Sequence, residues 1–415
     1  MNRRLRAADE AVDGRSHIAH RKRYHDRVTL RVATLLFGLQ LLACRALDRD
    51  RYYGIVDASE AGDRVTPPAD ASDVRPMTGC GTMDSGADAG CDPIRIPARP
   101  AALGDTDGGV RTLTFVARRL TLGFESRSVW GTIGFDRDGV CTDPLRPSPA
   151  TQACRPADST APAVEDGERG RDNAIAARMG PIFAAAGFGE ADVNDNIEQG
   201  DGSMAARISF YGGSNDARVR VEWIPVRHGH VTGMPTIPPR WDGRDTWHAD
   251  STLAWEPSMV GVARIRSDAA FVTCGTLVAP IPSRVPIRLN GRRTPTRLMI
   301  TGGHFVGAIS ADGSSLGPLD FSGWWPVSDA LVDISFLGLC PPPPIDRTMA
   351  WFLVQRSLEG AADMLTTGDV SPTTPCDALS FAFRSIWVPI VLGPDEASAP
   401  LPDNACDILP DGGRG

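Results

Sequence analysis

Lysine is almost missing from this 415-residue chain: Lys22 is the only one, and arginine supplies the rest of the positive charge. That absence excludes chemistry, because a Walker-type phosphate loop, a Schiff-base enzyme and a Ser-Lys dyad all require a lysine amine. Positive charge is also in deficit overall, with 43 Lys+Arg against 51 Asp+Glu. Nucleic-acid binding needs a basic footprint, so no nucleic-acid partner is expected. No Cys-x-x-Cys occurs among the nine cysteines, which removes the close ligand pair of a Cys-rich zinc site. Internal repeats of fixed period are absent too.

A membrane-spanning run is another absence. The mostly apolar stretch Val32–Ala43 has only twelve residues, where a spanning helix needs about 20. Its basic lead-in, with Arg21, Lys22, Arg23, Arg27 and Arg31, is instead that of an export signal. The stretch ends Leu41-Leu42-Ala43-Cys44, which resembles the bacterial lipobox. The resemblance implies cleavage before Cys44 and a diacylglyceryl thioether on its sulfur, the membrane anchor of the mature chain. Each buried methylene contributes about 0.8 kcal/mol, so two or three acyl chains hold firmly. The lead-in is long for an export signal, which points to a start nearer Val28. Arg45, rather than an aspartate, follows the lipidated cysteine, and outer-membrane sorting is the expectation. Residues 1–43 carry a net +5 and the whole chain −8, which leaves −13 after cleavage. Such a chain has no electrostatic draw to an anionic membrane surface beyond its lipid.

Eight cysteines remain beyond Cys44, and an even set in an exported protein reads as disulfides. The sequence admits 105 pairings; spacing suggests Cys80–Cys91, Cys141–Cys154, Cys274–Cys340 and Cys376–Cys406.

Residues 44–112 are poor in large apolar side chains and read as a disordered tether behind the signal segment 1–43. Order is expected from Arg111. Thr112–Phe124, Val129–Phe135, Ala206–Tyr211, Ala217–Trp223, Arg284–Leu289 and Leu298–Ser310 show strand periodicity, clearest where Val219, Val221 and Trp223 alternate with Arg218, Arg220 and Glu222. Asn173–Ala186, with Asp172 as cap and Gly180-Pro181 inside it, and Trp325–Leu337 read as helices. The expectation is a mainly β fold, a disulfide-braced β-sandwich or jelly-roll-like domain over 113–394 with one or two short helices, followed by a tail at 395–415.

Several constellations bear on function. Asp136, Asp138 and Asp143 stand in a glycine-containing turn, Asp-Arg-Asp-Gly-Val-Cys-Thr-Asp, and Asp166 and Asp172 in a second one. Oxygen-rich turns suit Ca2+, which takes six to eight oxygens on flexible backbone, and the first resembles the Asp-x-Asp-Gly loops of extracellular calcium modules. The plainer reading is a pair of solvated Asp-Gly turns. Asp192–Glu198 alternates like an EF-hand but has Ile197 and Ser203 at the positions where that loop needs glycine and glutamate. His228 and His230 share one face of a strand, yet Val231-Thr232 follows where a metallohydrolase continues Asp-His. Gly313-Ser314-Ser315-Leu316-Gly317 fits Gly-x-Ser-x-Gly but lacks a downstream histidine, and reads as a hairpin turn. Trp241, Asp242, Asp245 and Trp247 put two flat aromatics beside two carboxylates, which either bind sugar rings or plug the end of a β-domain.

As a set, Gly134–Cys141, Asp166-Gly167 with Gly170-x-Asp172-Asn173-Ala174, Ser209–Asp216, Pro239–Trp247 and Pro375–Ser380 resemble a family of large secreted lipoproteins of myxobacterial type. The resemblance covers roughly residues 113–406 and implies location and architecture only, since that family carries no assigned activity. The expected function is therefore a lipid-anchored cell-envelope lipoprotein with a binding or structural role toward glycan or an envelope protein. The alternative is a carbohydrate- or peptide-directed hydrolase using carboxylates, with calcium.

Overall fold

The computed structural model describes residues 92–99, 111–143, 152–157, 163–185, 189–229, 237–250, 265–282, 284–290, 295–334 and 349–395. The signal segment, Cys44, the Cys80–Cys91 pair and the tail lie outside the described residues. In chain order the strands are β1 (Arg111–Thr121), β2 (Cys154–Arg155), β3 (Ser203–Tyr211), β4 (Asp216–His228), β5 (Thr246–Ala249), β6 (Ile265–Thr273) and β7 (Thr276–Pro280), then β8 (Arg284–Asn290), β9 (Pro295–Ile309), β10 (Leu316–Pro326), β11 (Ser371–Pro375), β12 (Ala378–Pro389) and β13 (Val391–Leu392). Among the described residues the α-helices that join them are α1 (Arg127–Trp130), α2 (Gly180–Ala185), α3 (Glu190–Glu198), α4 (Val327–Asp333) and α5 (Met349–Ala361).

Eight strands close into a ring, β4-β3-β1-β12-β10-β9-β7-β6 and back to β4, antiparallel throughout. The fold is therefore mainly β, as expected, but a barrel rather than a sandwich. β4 pairs with β3 along one edge and with β6 along the other (Val221 opposite Ser267), so the edges that a sandwich leaves open are joined. Side-chain alternation is the same in both architectures; only long-range edge pairing tells them apart. β5 extends β4 outside the ring and carries β13, and β8 extends β9.

An eight-stranded barrel has an interior just wide enough for side chains to fill it. Here every ring strand contributes buried residues to one core, among them Phe115, Ile208, Val221, Val272, Leu277, Phe305, Phe321 and Phe383. Trp223 sits at its centre with ring centroids 3.9 Å from Phe305 and 5.7 Å from Trp387. Outside the wall, Ile94 and Ile96 cover Phe135, Phe271, Val278 and Val306. Residues 92–99, which the tether reading included, thus pack onto the barrel.

Several local expectations shift. Val129–Phe135 is not a strand: Val129 and Trp130 donate to the Ser126 carbonyl and start α1, and too few alternating residues follow to recruit a partner strand. The run after Asp172 begins as a π-turn, Ile175–Met179, before α2. The wide turn lets the helix run on into Pro181, which has no amide to donate. Trp325 and Pro326 belong to β10, where they pair with Leu379 and Ala378, and the helix starts only at Val327. The acidic run Asp192–Glu198 lies in α3; Asn194 exchanges hydrogen bonds with the Leu120 backbone, and Glu190 accepts from Leu122 N. It serves as packing for β1, not as an ion loop. Gly313–Gly317 is the β9–β10 hairpin turn, with Ser310 N donating to Ser315 O at 3.0 Å.

The disulfides also differ. Cys154 is bonded to Cys376, 222 residues away, across the short parallel pair β2–β11 with a Cα separation of 5.3 Å. This overturns Cys141–Cys154 and Cys376–Cys406, because strand pairing rather than sequence spacing brings Cα atoms within disulfide reach. Cys141 and Cys274 are disulfide-bonded as well; their partners lie outside the described residues.

Candidate metal centre

Period-2 alternation sets the stage. β12 sends Leu379, Phe381 and Phe383 into the core and leaves Ser380, Ala382 and Arg384 on the outer wall; β10 likewise buries Leu319 and Phe321 and turns Asp320, Ser322 and Trp324 outward. Arg384 grips Asp320 with both ends of its guanidinium (2.6 and 2.9 Å) and donates to Thr132 O, which seats the segment after α1 on this wall. Gly134 makes the approach close enough. Its φ is +92°, and a Cβ there would meet Ala382 Cβ at 2.6 Å.

The chain then folds Asp136–Val140 into a tight turn. Gly139 N donates to Asp136 Oδ1 at 2.6 Å and Val140 N to Asp138 Oδ1 at 2.8 Å, the usual self-closure of aspartate turns. Asp172 enters from the second acidic segment and accepts Arg137 N at 2.6 Å and Asp138 N at 3.3 Å through Oδ2. Asn173 beside it accepts Ala382 N, which fixes that segment to β12. One carboxylate oxygen from each of Asp136, Asp138 and Asp172 lies within 4.8 Å of the others. Asp166 is tied to Thr142 in both directions, and Asp363, just after α5, takes Ser380 N at 2.7 Å and Ser380 Oγ at 2.5 Å.

Asp136, Asp166 and Asp172 are buried at 6, 7 and 1% exposure. Burial raises all five carboxyls above the usual range. Asp172 is raised further by the charges of Asp138, Asp166 and Asp363, and Asp166 by Asp138, Asp363 and Asp136. Asp363 is pushed up to about 6, chiefly by burial, with Ser380 pulling the other way. Two guanidinium groups oppose them: Arg95, whose charge acts on Asp136, and Arg137, which feels Asp172 and Asp136. Arg137 spends its donors elsewhere, on Gly302 O at 2.7 Å and His304 Nδ1 at 3.3 Å, and lies over Trp324. Burial and this guanidinium lower His304 to about 4.

A pH dependence follows. A carboxyl whose pKa rises on folding binds more protons in the native state, so stability falls as pH rises through the interval between the unfolded and folded values. His304 works in the opposite sense, losing stability as pH falls from 6.5 toward 4. Five carboxyls outweigh one imidazole. In chelating buffer the melting temperature is therefore higher at pH 5 than at pH 7, as read by differential scanning fluorimetry; a fall from pH 7 to pH 5 contradicts this assignment.

Of the expected metal residues, Asp136, Asp138 and Asp172 come together, while the buried Asp166 and the exposed Asp143 stand outside the three-oxygen group. The tryptophan loop is arranged differently. Trp247 is fully buried against Ile224, Val226 and Ile390, and Trp241 tilts against it at 5.5 Å beneath Arg118. Asp245 accepts Arg240 N and Trp241 N, and Asp242 closes its own turn onto Arg244 N. His228 Nδ1 faces Ile237 O at 2.6 Å and Nε2 faces Asp245 at 3.5 Å; His230 lies outside the described residues. These side chains hold a loop against the outer face of β1, β3 and β4.

Asp363, Ser380 and Arg137 escaped the sequence reading. Asp363 sits alone between Ala362 and Met364 with no acidic neighbour, and its bonds to Ala378 and Ser380 of β12 set it on the wall that carries the turns. Comparison of the chain with protein-family models, curated proteins and solved structures gives no match.

Proposed function

We propose that the chain is a cell-envelope lipoprotein, held to a membrane through Cys44 and presenting a disulfide-braced β-barrel for binding or structural duty toward glycan or a neighbouring envelope protein. The observation that supports this reading is the Cys154–Cys376 bond, with Cys141 and Cys274 also oxidised. Such bonds persist outside the reducing cytosol, which is where the Leu41–Cys44 sequence directs the chain. Hydrolysis would ask Asp242 and Asp245 to converge beside open tryptophans; Asp245 is instead committed to backbone amides and Trp247 is buried. The membrane side is expected to be the outer membrane. Metabolic labelling with radioactive palmitate, followed by membrane fractionation, tests the anchor. The native chain takes up label and sediments with envelope, and Cys44→Ala loses the label entirely. Label retained by Cys44→Ala, or none on the native chain, sinks the reading.

A further inference from the structure

We infer that the carboxylates of Asp136, Asp138 and Asp172 form a calcium-binding site on the outer wall of the barrel. The first ground is geometric. Oxygens bound to one Ca2+ at about 2.3–2.6 Å lie no more than roughly 5 Å apart, and three carboxylates already offer one oxygen each within 4.8 Å of the others.

The second ground is independent of the clustering. Asp136 Oδ2 and Asp172 Oδ1 are fully buried and accept no hydrogen bond, although the other oxygen of each carboxylate is satisfied by backbone amides. A buried acceptor without a donor is costly and normally finds a partner. For two oxygens of neighbouring carboxylates, an ion between them is that partner. The third ground is charge. The guanidiniums of Arg95 and Arg137 act on Asp136 and Asp172 and leave Asp138 without a cation, and buried charges left unpaired are strongly unfavourable. A divalent cation removes most of the excess.

The donor set selects the ion. All three groups are carboxylates, which excludes a preference for zinc or copper, whose sites use imidazole or thiolate. His304 faces Arg137 rather than the trio. Magnesium usually keeps several waters and uses one or two carboxylates, whereas calcium accepts many carboxylates in irregular geometry. Asp138 and Asp363 are only partly buried, which leaves a side for the ion to enter. Bound there, the ion clamps the Asp136–Asp138 turn and the segment that carries Asp172 into one unit.

The test uses the full chain, stripped with chelator and dialysed against radioactive calcium, with thermal melts in calcium, in magnesium and in chelator. One calcium per chain is expected, with a dissociation constant of about 1 mM or tighter, the range of extracellular modules or better. Calcium at a hundredfold excess over that constant raises the melting temperature by about 5 °C or more, and magnesium raises it less. Asp138→Asn and Asp172→Asn each weaken binding at least tenfold, and Asp242→Asn, in a distant exposed turn, leaves it unchanged. If Asp172→Asn fails to fold, Asp138→Asn, at a less buried position, decides. No calcium on the native chain, or native affinity in Asp138→Asn, overturns the inference, and the buried carboxyls then hold protons in place of an ion.

Discussion

Replacing both Cys154 and Cys376 with serine lowers the melting temperature of this domain by about 10 °C. The bond spans 222 residues, and the chain-entropy relation assigns a loop of that length roughly 5 kcal/mol. Other cross-links already shorten the unfolded chain, so the realised value is nearer about 3–4 kcal/mol, worth roughly 2–4 °C per kcal/mol in a domain of this size. Little else holds the place. β2 and β11 meet at only two registered pairs, and the small core beneath them consists of Ala153, Cys154, Ala362, Leu365 and Cys376. A non-reducing calorimetric scan of the double variant measures the shift. A fall of less than 3 °C means that the oxidised chain gains its stability elsewhere.

Trp223→Ala is the second large effect: about 3–5 kcal/mol is lost, while Trp223→Phe loses only about 1–2 kcal/mol. Trp223 is 1% exposed at the centre of the barrel, packed against Phe305 and Trp387. Its indole nitrogen finds no acceptor there. What the residue supplies is therefore volume and ring contact, not a hydrogen bond, and phenylalanine keeps much of both. Alanine leaves a cavity bounded by strands of a closed ring, which cannot collapse inward as a helix can slide. Urea unfolding of the two variants distinguishes these cases. Equal losses for Ala and Phe mean that the indole nitrogen is bonded after all.

How far the fold could be read from sequence depended on whether a strand has a wet face. β4 was legible because Arg218, Arg220 and Glu222 alternate with buried Val219, Val221 and Trp223. β10 and β12 were not, because loops and helices cover their outer faces: from Ala378 to Phe383 every residue is buried. A strand dry on both sides shows an apolar run with no period. Closure into a barrel was illegible for a different reason, since it rests on the meeting of β4 with β6 and not on any local pattern. The candidate site divides in the same way. Asp136, Asp138, Asp166 and Asp172 stand in glycine turns that mark themselves, while Asp363 and the Cys154–Cys376 bond depend on segments that only folding brings together.

The joining of β4 to β6 also bears on how partners are met. Many exported proteins recognise one another by lending a strand to an open sheet edge, where backbone amides supply the affinity. In the closed ring each of the eight strands has neighbours on both sides, and among the described residues the free edges belong to the outlying β8, the two-residue β13 and the short pair β2–β11. A molecule approaching the ring itself would meet side chains and loops, and only the outlying strands offer unpaired backbone.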